Sequence, residues 1–431
     1  MKLNNLAVHS LEITKCHLMS RHSLSCYLAG GALLLAPLFA QAGGGIHTMV
    51  AVTKYTATAG AGHATDTGAT ASYNNPAGLG LFQGRELYTG VTVLEDSLHF
   101  YDEGSTGPDA DARARDIDYS GSGLTAIPSL FYASSINDNL AYGISFAPMS
   151  GGEADFGSDW VGSNFVNSAD VKIVGLSAAV GHRINDSWSL GASVGVAYMS
   201  WEVDSEVPAN DAPNSTNSFE LEDFQPYWQL GVMYLPTDTT RMGLRYLSGA
   251  DFELSGDNNM VLDGQEVTTD AGLTGFNMPN LLSFSIDHQL SERLSLLADI
   301  KWNEWSRMEE NILTVGDTTG VIDRNWRNTW GGAVGVAYQQ SEALSLKAGI
   351  SYDESPVATK DHKVDPPLDR QVRYAFGVGY APTEKNWSLD LSYQYLDLGD
   401  VTVNQSVGPY VVKGSSEAHC HIINLGLGYR F

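Results

Sequence analysis

Beyond residue 42 this chain has no apolar run approaching the ~18 residues a spanning helix needs, yet large apolar side chains recur at every second position over much of its length. That excludes a helical membrane protein. A period of two gives a strand one large apolar face and one small or polar face. In the C-terminal segment, Ile423, Leu425, Leu427, Tyr429 and Phe431 alternate with Asn424, Gly426, Gly428 and Arg430. Trp387, Leu389, Leu391, Tyr393 and Tyr395 alternate likewise with Ser388, Asp390, Ser392 and Gln394. Fourteen such segments can be counted, over roughly 85–101, 124–136, 139–149, 169–184, 187–204, 221–235, 239–255, 275–290, 293–314, 325–340, 343–354, 369–381, 386–404 and 417–431. Short turns recur at Asn137-Asp138, Asn185-Asp186, Pro236-Thr237-Asp238, Ser291-Glu292, Ser341-Glu342 and Pro382-Thr383-Glu384. Between them lie longer acidic or Gly-rich stretches, such as 102–123, 150–168, 205–220 and 256–274. Short turns on one rim and long loops on the other predict an all-β, 14-stranded antiparallel transmembrane barrel, apolar outside and polar inside. A secreted β-sandwich would also alternate, but its outward face would be polar. Aromatic residues near strand ends (Trp188 and Tyr198, Trp302 and Trp305, Trp326 and Trp330) fit an interfacial girdle.

Residues 1–42 read as an export leader. Lys2, Lys15 and Arg21 form a basic region, 27–39 are apolar, and Ala40-Gln41-Ala42 fits a small-x-small cleavage site. The leader is long for its kind, which makes Met19 an alternative start to Met1. Cys26 precedes the apolar run, contrary to a lipoprotein anchor. Removing three basic and one acidic residue with the leader takes the formal charge from −26 to −28. So acidic a chain repels nucleic acid, which is excluded as a partner. Cys16 and Cys26 leave with the leader, so Cys420 has no intramolecular disulfide partner.

Residues 43–84 break the alternation. They are rich in Ala, Gly and Thr and end in Ser72-Tyr73-Asn74-Asn75-Pro76-Ala77-Gly78-Leu79. Such small side chains suit either a compact segment inside a crowded lumen or a flexible exported tail. An Ala/Gly-rich segment ending in Asn-Pro-Ala-Gly, directly after a leader and before the first strand, resembles the hatch of the FadL/TodX family of outer-membrane transporters of long-chain fatty acids and hydrocarbons. Three further stretches agree: the Trp-rich Asp299-Ile300-Lys301-Trp302-Asn303-Glu304-Trp305-Ser306, the block Tyr352-Asp353-Glu354-Ser355-Pro356 followed by Pro366-Pro367-Leu368-Asp369-Arg370, and the terminal Tyr429-Arg430-Phe431. The resemblance covers 43–431. It departs between Gly60 and Asn75, where the segment is shorter than in typical members and Asp66 stands alone in place of their common Asp-Asp or Asp-Asn pair.

The resemblance implies an outer-membrane protein of Gram-negative type, monomeric, embedded among lipid and lipopolysaccharide and inserted by the barrel assembly machinery. It implies a hatch at 43–84 carrying Asn74, Asn75, Pro76, Ala77 and Gly78, within a 85–431 barrel. It also implies capture of an apolar ligand at the loops and sideways release at a kinked third strand. In that strand Gly143 and Pro148 are the candidates for the kink, though a strand simply ending at Pro148 is equally compatible. Loop residues Phe156, Trp160, Val161, Phe165 and Val166 are apolar enough for capture, or for packing on the rim. Strand parity sends Arg245, Lys301, Arg327, Lys347 and Arg373 into the lumen with Asp287, Asp299, Asp353 and Asp390. Most should pair with each other; Lys301 and Arg327 are the candidates for a ligand carboxylate. His419-Cys420-His421 lacks a third metal ligand, and Asp109, Asp111, Asp116 and Asp118 do not have the spacing of a calcium loop, so no metal or cofactor is expected. No phosphate-binding glycine loop or nucleophile elbow is present, and no catalysis is expected. The alternatives are aromatic hydrocarbon uptake in the same fold and a general porin.

Overall fold

In the computed structural model, described for residues 51–107, 124–158, 160–207, 215–262, 264–364, 369–407 and 409–431, the two faces of each strand meet opposite surroundings. On the last strand Leu425 is 50% exposed on the outer surface, whereas its neighbour Asn424 is 1% exposed within. This inversion of ordinary burial is what a barrel in lipid requires. The leader, residues 43–50, Asp109, Asp111, Asp116, Asp118 and Pro366-Pro367-Leu368 lie outside the described residues.

The chain forms a closed antiparallel barrel of fourteen strands. The first six are β1 (Arg85–Asp102), β2 (Leu124–Asn137), β3 (Leu140–Asp155), β4 (Ser168–Arg183), β5 (Trp188–Glu206) and β6 (Thr216–Thr237). Four two-part strands follow. They are β7 (Thr240–Leu247, resumed at Asp251–Leu262), β8 (Gln265–Asn277, Leu281–Ser291), β9 (Leu294–Asn303, Glu310–Val315) and β10 (Thr318–Asp323, Thr329–Gln339). The last four are β11 (Leu344–Asp353), β12 (Gln371–Tyr380), β13 (Trp387–Val407) and β14 (Tyr410–Arg430). β14 pairs with β1 from Glu86↔Arg430 to Asp102↔Gly414, which leaves the sheet no free edge. Short turns are set by side chains that mimic a backbone turn: Asn137 Oδ1 accepts from Asn139 N at 2.9 Å, and Asn185 Oδ1 from Ser187 N at 2.9 Å.

Two sequence expectations need correction. The stretch 256–274 is not a loop: β7 and β8 continue through it, turning at Gly264, whose φ of 77° favours glycine. Its buried apolar positions, Met260, Ala271 and Leu273, lie on the inward face. Trp305 and Trp326 are not in the girdle either. Both are buried, edge to face at 5.2 Å, because the breaks in β9 and β10 turn them inward. Trp188, stacked on Tyr234 at 4.4 Å, and Trp330 are exposed outside as expected.

The breaks in β7 to β10 are joined sideways. Gly249 N donates to Asn280 Oδ1 at 2.7 Å, Glu304 N to Asn280 O at 2.9 Å, and Arg324 N to Glu309 O at 2.8 Å. The backbone thus stays paired across the interruption. Toward the long-loop rim the lumen is filled by an apolar cluster that includes Phe100, Trp201, Phe219, Phe252, Phe276 and Trp305. Toward the short-turn rim it is filled by residues 51–82.

Beyond the strands, on the long-loop rim, His362 is buried after a short helical turn, Thr359–Asp361. Burial pushes its imidazole below the ordinary value of 6.5, against the opposing pull of Asp369 and Asp361. A base whose folded pKa is lowered stabilises the fold fully above its unfolded value, and loses that contribution as pH falls through the folded value. Tryptic cleavage after Lys360 or Lys363, scaled to a denatured control, should therefore accelerate between pH 7.5 and pH 5. His362→Gln should abolish the acceleration; its persistence there would assign it to another group.

Candidate functional site

Residues 51–82 contain two four-residue helices, α1 (Thr53–Thr56) and α2 (Ala71–Asn74), and short helical turns at His63–Thr65 and Pro76–Leu81. None is long enough to stand alone in water. They are held by packing against the wall and by a few buried polar contacts. Asp66, 1% exposed, takes Lys54 Nζ at 2.5 Å and Asn74 Nδ2 at 2.8 Å, so a single carboxylate fastens both ends of the segment. Asn75 donates to Ala64 O at 2.6 Å and accepts from Ala77 N at 3.1 Å, capping a turn whose first residue, Pro76, lacks the N–H that would otherwise be orphaned. A Cβ on Gly78 would stand 1.8 Å from Asp66 O. Asn74, Asn75, Pro76, Ala77 and Gly78 are thus buried together at one bend.

The wall accommodates the segment at matching positions. Ser189 Oγ on β5 donates to Ala77 O at 2.6 Å, Ser285 Oγ on β8 accepts from Ala64 N at 3.0 Å, and Asp299 Oδ2 on β9 lies 3.0 Å from His63 Nδ1. A Cβ at Gly231 would fall 1.9 Å from Asn75 Oδ1, and one at Gly243 1.8 Å from Ala64 O.

The seam between β2 and β3 is incomplete. The β2–β3 ladder stops at Leu130↔Phe146, although β2 begins at Leu124 and β3 continues to Asp155. The β3–β4 ladder runs on to Asp155↔Ser168 with a one-residue bulge at Met149, between Pro148↔Val174 and Ser150↔Ile173. Two steps past the last β2–β3 pair, the same register would set Pro128 opposite Pro148. Neither has an N–H to give to the ladder. The Pro148 carbonyl accepts instead from Tyr73 OH of the inner segment at 3.0 Å. Gly143 lies within the regular ladder, opposite Ala133 and Ala179, where a Cβ would meet Ser72 Cβ at 2.8 Å. The irregularity falls at Pro148 and Met149, not at Gly143.

Phe156, Trp160, Val161, Phe165 and Val166 are buried, not displayed on an open loop. Trp160 stacks on Phe156 at 4.3 Å, meets Phe100 edge to face at 5.5 Å and donates its indole N–H to Val166 O at 2.7 Å. They form one side of the apolar upper lumen.

Residues 33–431 match the family described as outer membrane protein transport protein (OMPP1/FadL/TodX). The chain belongs to this family. It is similar to Haemophilus influenzae outer membrane protein P1, 25% identical over 71% of this chain and 75% of that one. It is also similar to the long-chain fatty acid transport protein of Escherichia coli O6:H1, 22% identical over 71% of this chain and 77% of the relative. The crystal structure of a Pseudomonas aeruginosa FadL homologue superposes with a TM-score of 0.80 at 21% identity, over 90% of this chain and 100% of that one, which shows a shared fold. As a FadL/TodX family member the chain is an outer-membrane protein of a class that transports hydrophobic substrates.

Within this FadL/TodX barrel the two sequence-selected cations part company. Lys301 is buried, with Nζ 2.9 Å from Asp353 Oδ1, and Arg373 shares the same carboxylate. That arrangement is a closed charge triad. Arg327 is not luminal: it is exposed in the β10 break, donating to Ser355 O at 3.3 and 3.2 Å. The interruption at 324–328 cancels strand parity, and it is Arg324 that turns inward, donating to Asn311 Oδ1 at 2.8 Å. Sequence reasoning passed over Arg245, which parity did place in the lumen. Its setting is made by Tyr73 of the inner segment and by Tyr227 and Gln229 of β6, and only the fold brings these together.

Gly231→Val and Gly243→Val should leave the barrel folded, as judged by heat-modifiable gel mobility, yet displace residues 51–82. Cells carrying either variant should become permeable to vancomycin. Gly332→Val, on the outward face, should not change permeability. Impermeable cells with both inward variants would show that the wall does not need these clearances.

Proposed function

We propose that this chain carries long-chain fatty acids across the outer membrane. In this reading the ligand is captured in the apolar upper lumen, binds beside the inner segment, and leaves sideways between β2 and β3. The observation that supports it most is the unpaired β2–β3 stretch, framed by Pro128 and Pro148, where β3 bulges at Met149 and Tyr73 of the inner segment donates to the Pro148 carbonyl. Transfer of a long alkyl chain from an apolar lumen into lipid loses no burial, at ~25 cal/mol per Å². The same chain would gain nothing from a water-filled path. Residues 51–82 act as the hatch, closing the lower lumen to polar solutes. A general porin needs a wet passage at this level, which these buried residues occupy. A relative named for long-chain fatty acid transport favours that substrate over a hydrocarbon.

Labelled oleate and labelled toluene, supplied to cells lacking their own transporter, test the reading. Oleate uptake should depend on this chain and fall at least several-fold in Pro148→Ala, in which the donor is restored, while the barrel remains heat-modifiable. Toluene uptake alone would move the substrate to the hydrocarbon class. Undiminished oleate uptake in Pro148→Ala would place the exit elsewhere.

A further inference from the structure

The strands that close the barrel carry side chains that the sequence scatters and the register gathers. On the outer face of β14, Glu417 and His419 lie between the lipid-facing Ile423 and the long-loop rim. The β1–β14 register sets His99 directly opposite Glu417, and the β13–β14 register sets Asp400 opposite Glu417 from the other side. The rings of His99 and His419 are stacked with their centres 6.5 Å apart. All four side chains are exposed or half-buried. Glu417 and Asp400 are like charges in directly opposed positions, an arrangement that disfavours strand pairing unless a positive charge lies between them. Two neighbours are committed elsewhere: Asp397 pairs with Arg370 at 2.9 Å, and His421 Nδ1 meets Tyr393 OH at 2.7 Å.

We propose that His99, His419, Glu417 and Asp400 bind one divalent transition-metal ion, with zinc as its representative, and that the ion staples the first strand of the barrel to the last two. Imidazole nitrogens and carboxylate oxygens are the donors zinc takes in tetrahedral coordination. Directly opposite residues of an antiparallel pair have Cβ atoms about 5 Å apart, and diagonal ones about 7 Å. Metal–donor bonds of about 2 Å let side chains of this length meet at one ion across those gaps. Among the described residues no three such groups already converge on one point, so binding requires the imidazoles to turn. Turning His99 gives up the contact of its Nε2 with Ser97 Oγ, 3.1 Å away, a neutral hydrogen bond on an open face. In exchange the ion sets a positive charge between the two carboxylates. The sequence offers only His419 and His421 on one strand face; the register replaces His421 with donors from β1 and β13. β1 and β14 stand at opposite ends of the chain and share no turn, so a bond between their side chains acts on the closing seam itself. An ion bound only by the closed barrel stabilises it by mass action, whatever the transported substrate.

The test titrates the full-length protein in detergent, first stripped with EDTA, with zinc chloride against a chromophoric chelator. Wild type should bind a single ion per chain. Loss of an outer-shell partner alone costs about 10–100-fold in metal affinity, so His99→Gln, His419→Gln and Glu417→Gln should each weaken binding by about tenfold or more, whereas His421→Gln should stay within about twofold. Zinc should also raise the temperature at which wild type loses its folded gel mobility, and EDTA should reverse the rise. In His99→Gln that temperature should not respond to zinc, while the metal-free variant keeps the folded mobility of metal-free wild type. If His421→Gln weakens binding as much as His99→Gln, the ion belongs to the pair on one strand and the bridge is overturned. Unchanged zinc affinity in His99→Gln would overturn it too, as would a wild-type transition temperature indifferent to bound zinc. Wild type that takes up no zinc in competition with the chelator would remove the site altogether.

Discussion

In hydrocarbon, every backbone N–H and C=O has to find its partner inside the protein, because no water is there to substitute. The β1–β14 pairing meets that demand by closing the sheet, and the joined breaks of β7 to β10 keep it where strands are interrupted. At the β2–β3 seam strand pairing stops short. There the missing ladder partner of Pro148 is supplied from the lumen by Tyr73. The integrity of the wall at that point is thus tied to the position of residues that are not part of the wall.

This dependence runs in both directions. Helices of four residues hold no shape without a surface to pack on, and the surface provided is fitted to them. Gly231 and Gly243 leave room for Asn75 and Ala64, and Ser189, Ser285 and Asp299 supply matching polar partners. Above this level the wall changes character, with large aromatic side chains meeting one another in place of small residues meeting the inner segment. The boundary between the two regions lies beside Met149 and Tyr227, close to the open seam.

Much of this was legible in the sequence. The strand count followed from alternation, because lipid on one side and a small-residue lumen on the other impose a period of two over most of each strand. The rims were legible in the alternation of short and long connections. What failed did so for identifiable reasons. The 256–274 stretch reads as a loop because its outward positions face water and not lipid, so only its inward positions keep apolar side chains. Arg327 follows luminal parity until a five-residue break, invisible in composition, resets the face. The apolar loop residues Phe156 to Val166 were recognisable as unusual, but whether they face water or pack inward is decided by neighbours such as Phe100, distant in sequence. The bend at Asn75-Pro76 was readable from local chemistry alone, whereas its partners on β5, β6 and β7 were not.

The electrostatics of the lumen carry the argument one step further. The chain has 50 acidic residues against 24 lysines and arginines, so a buried arginine without a carboxylate does not reflect a shortage of carboxylates. Asp353 shows how readily the fold supplies one, serving Lys301 and Arg373 together. Asp299, on the same inner wall, is committed to His63 and Ser285 and so to holding the inner segment. Arg245 is left with a neutral amide and an aromatic ring, in a cavity too small for more than a water unless the strand bulge yields.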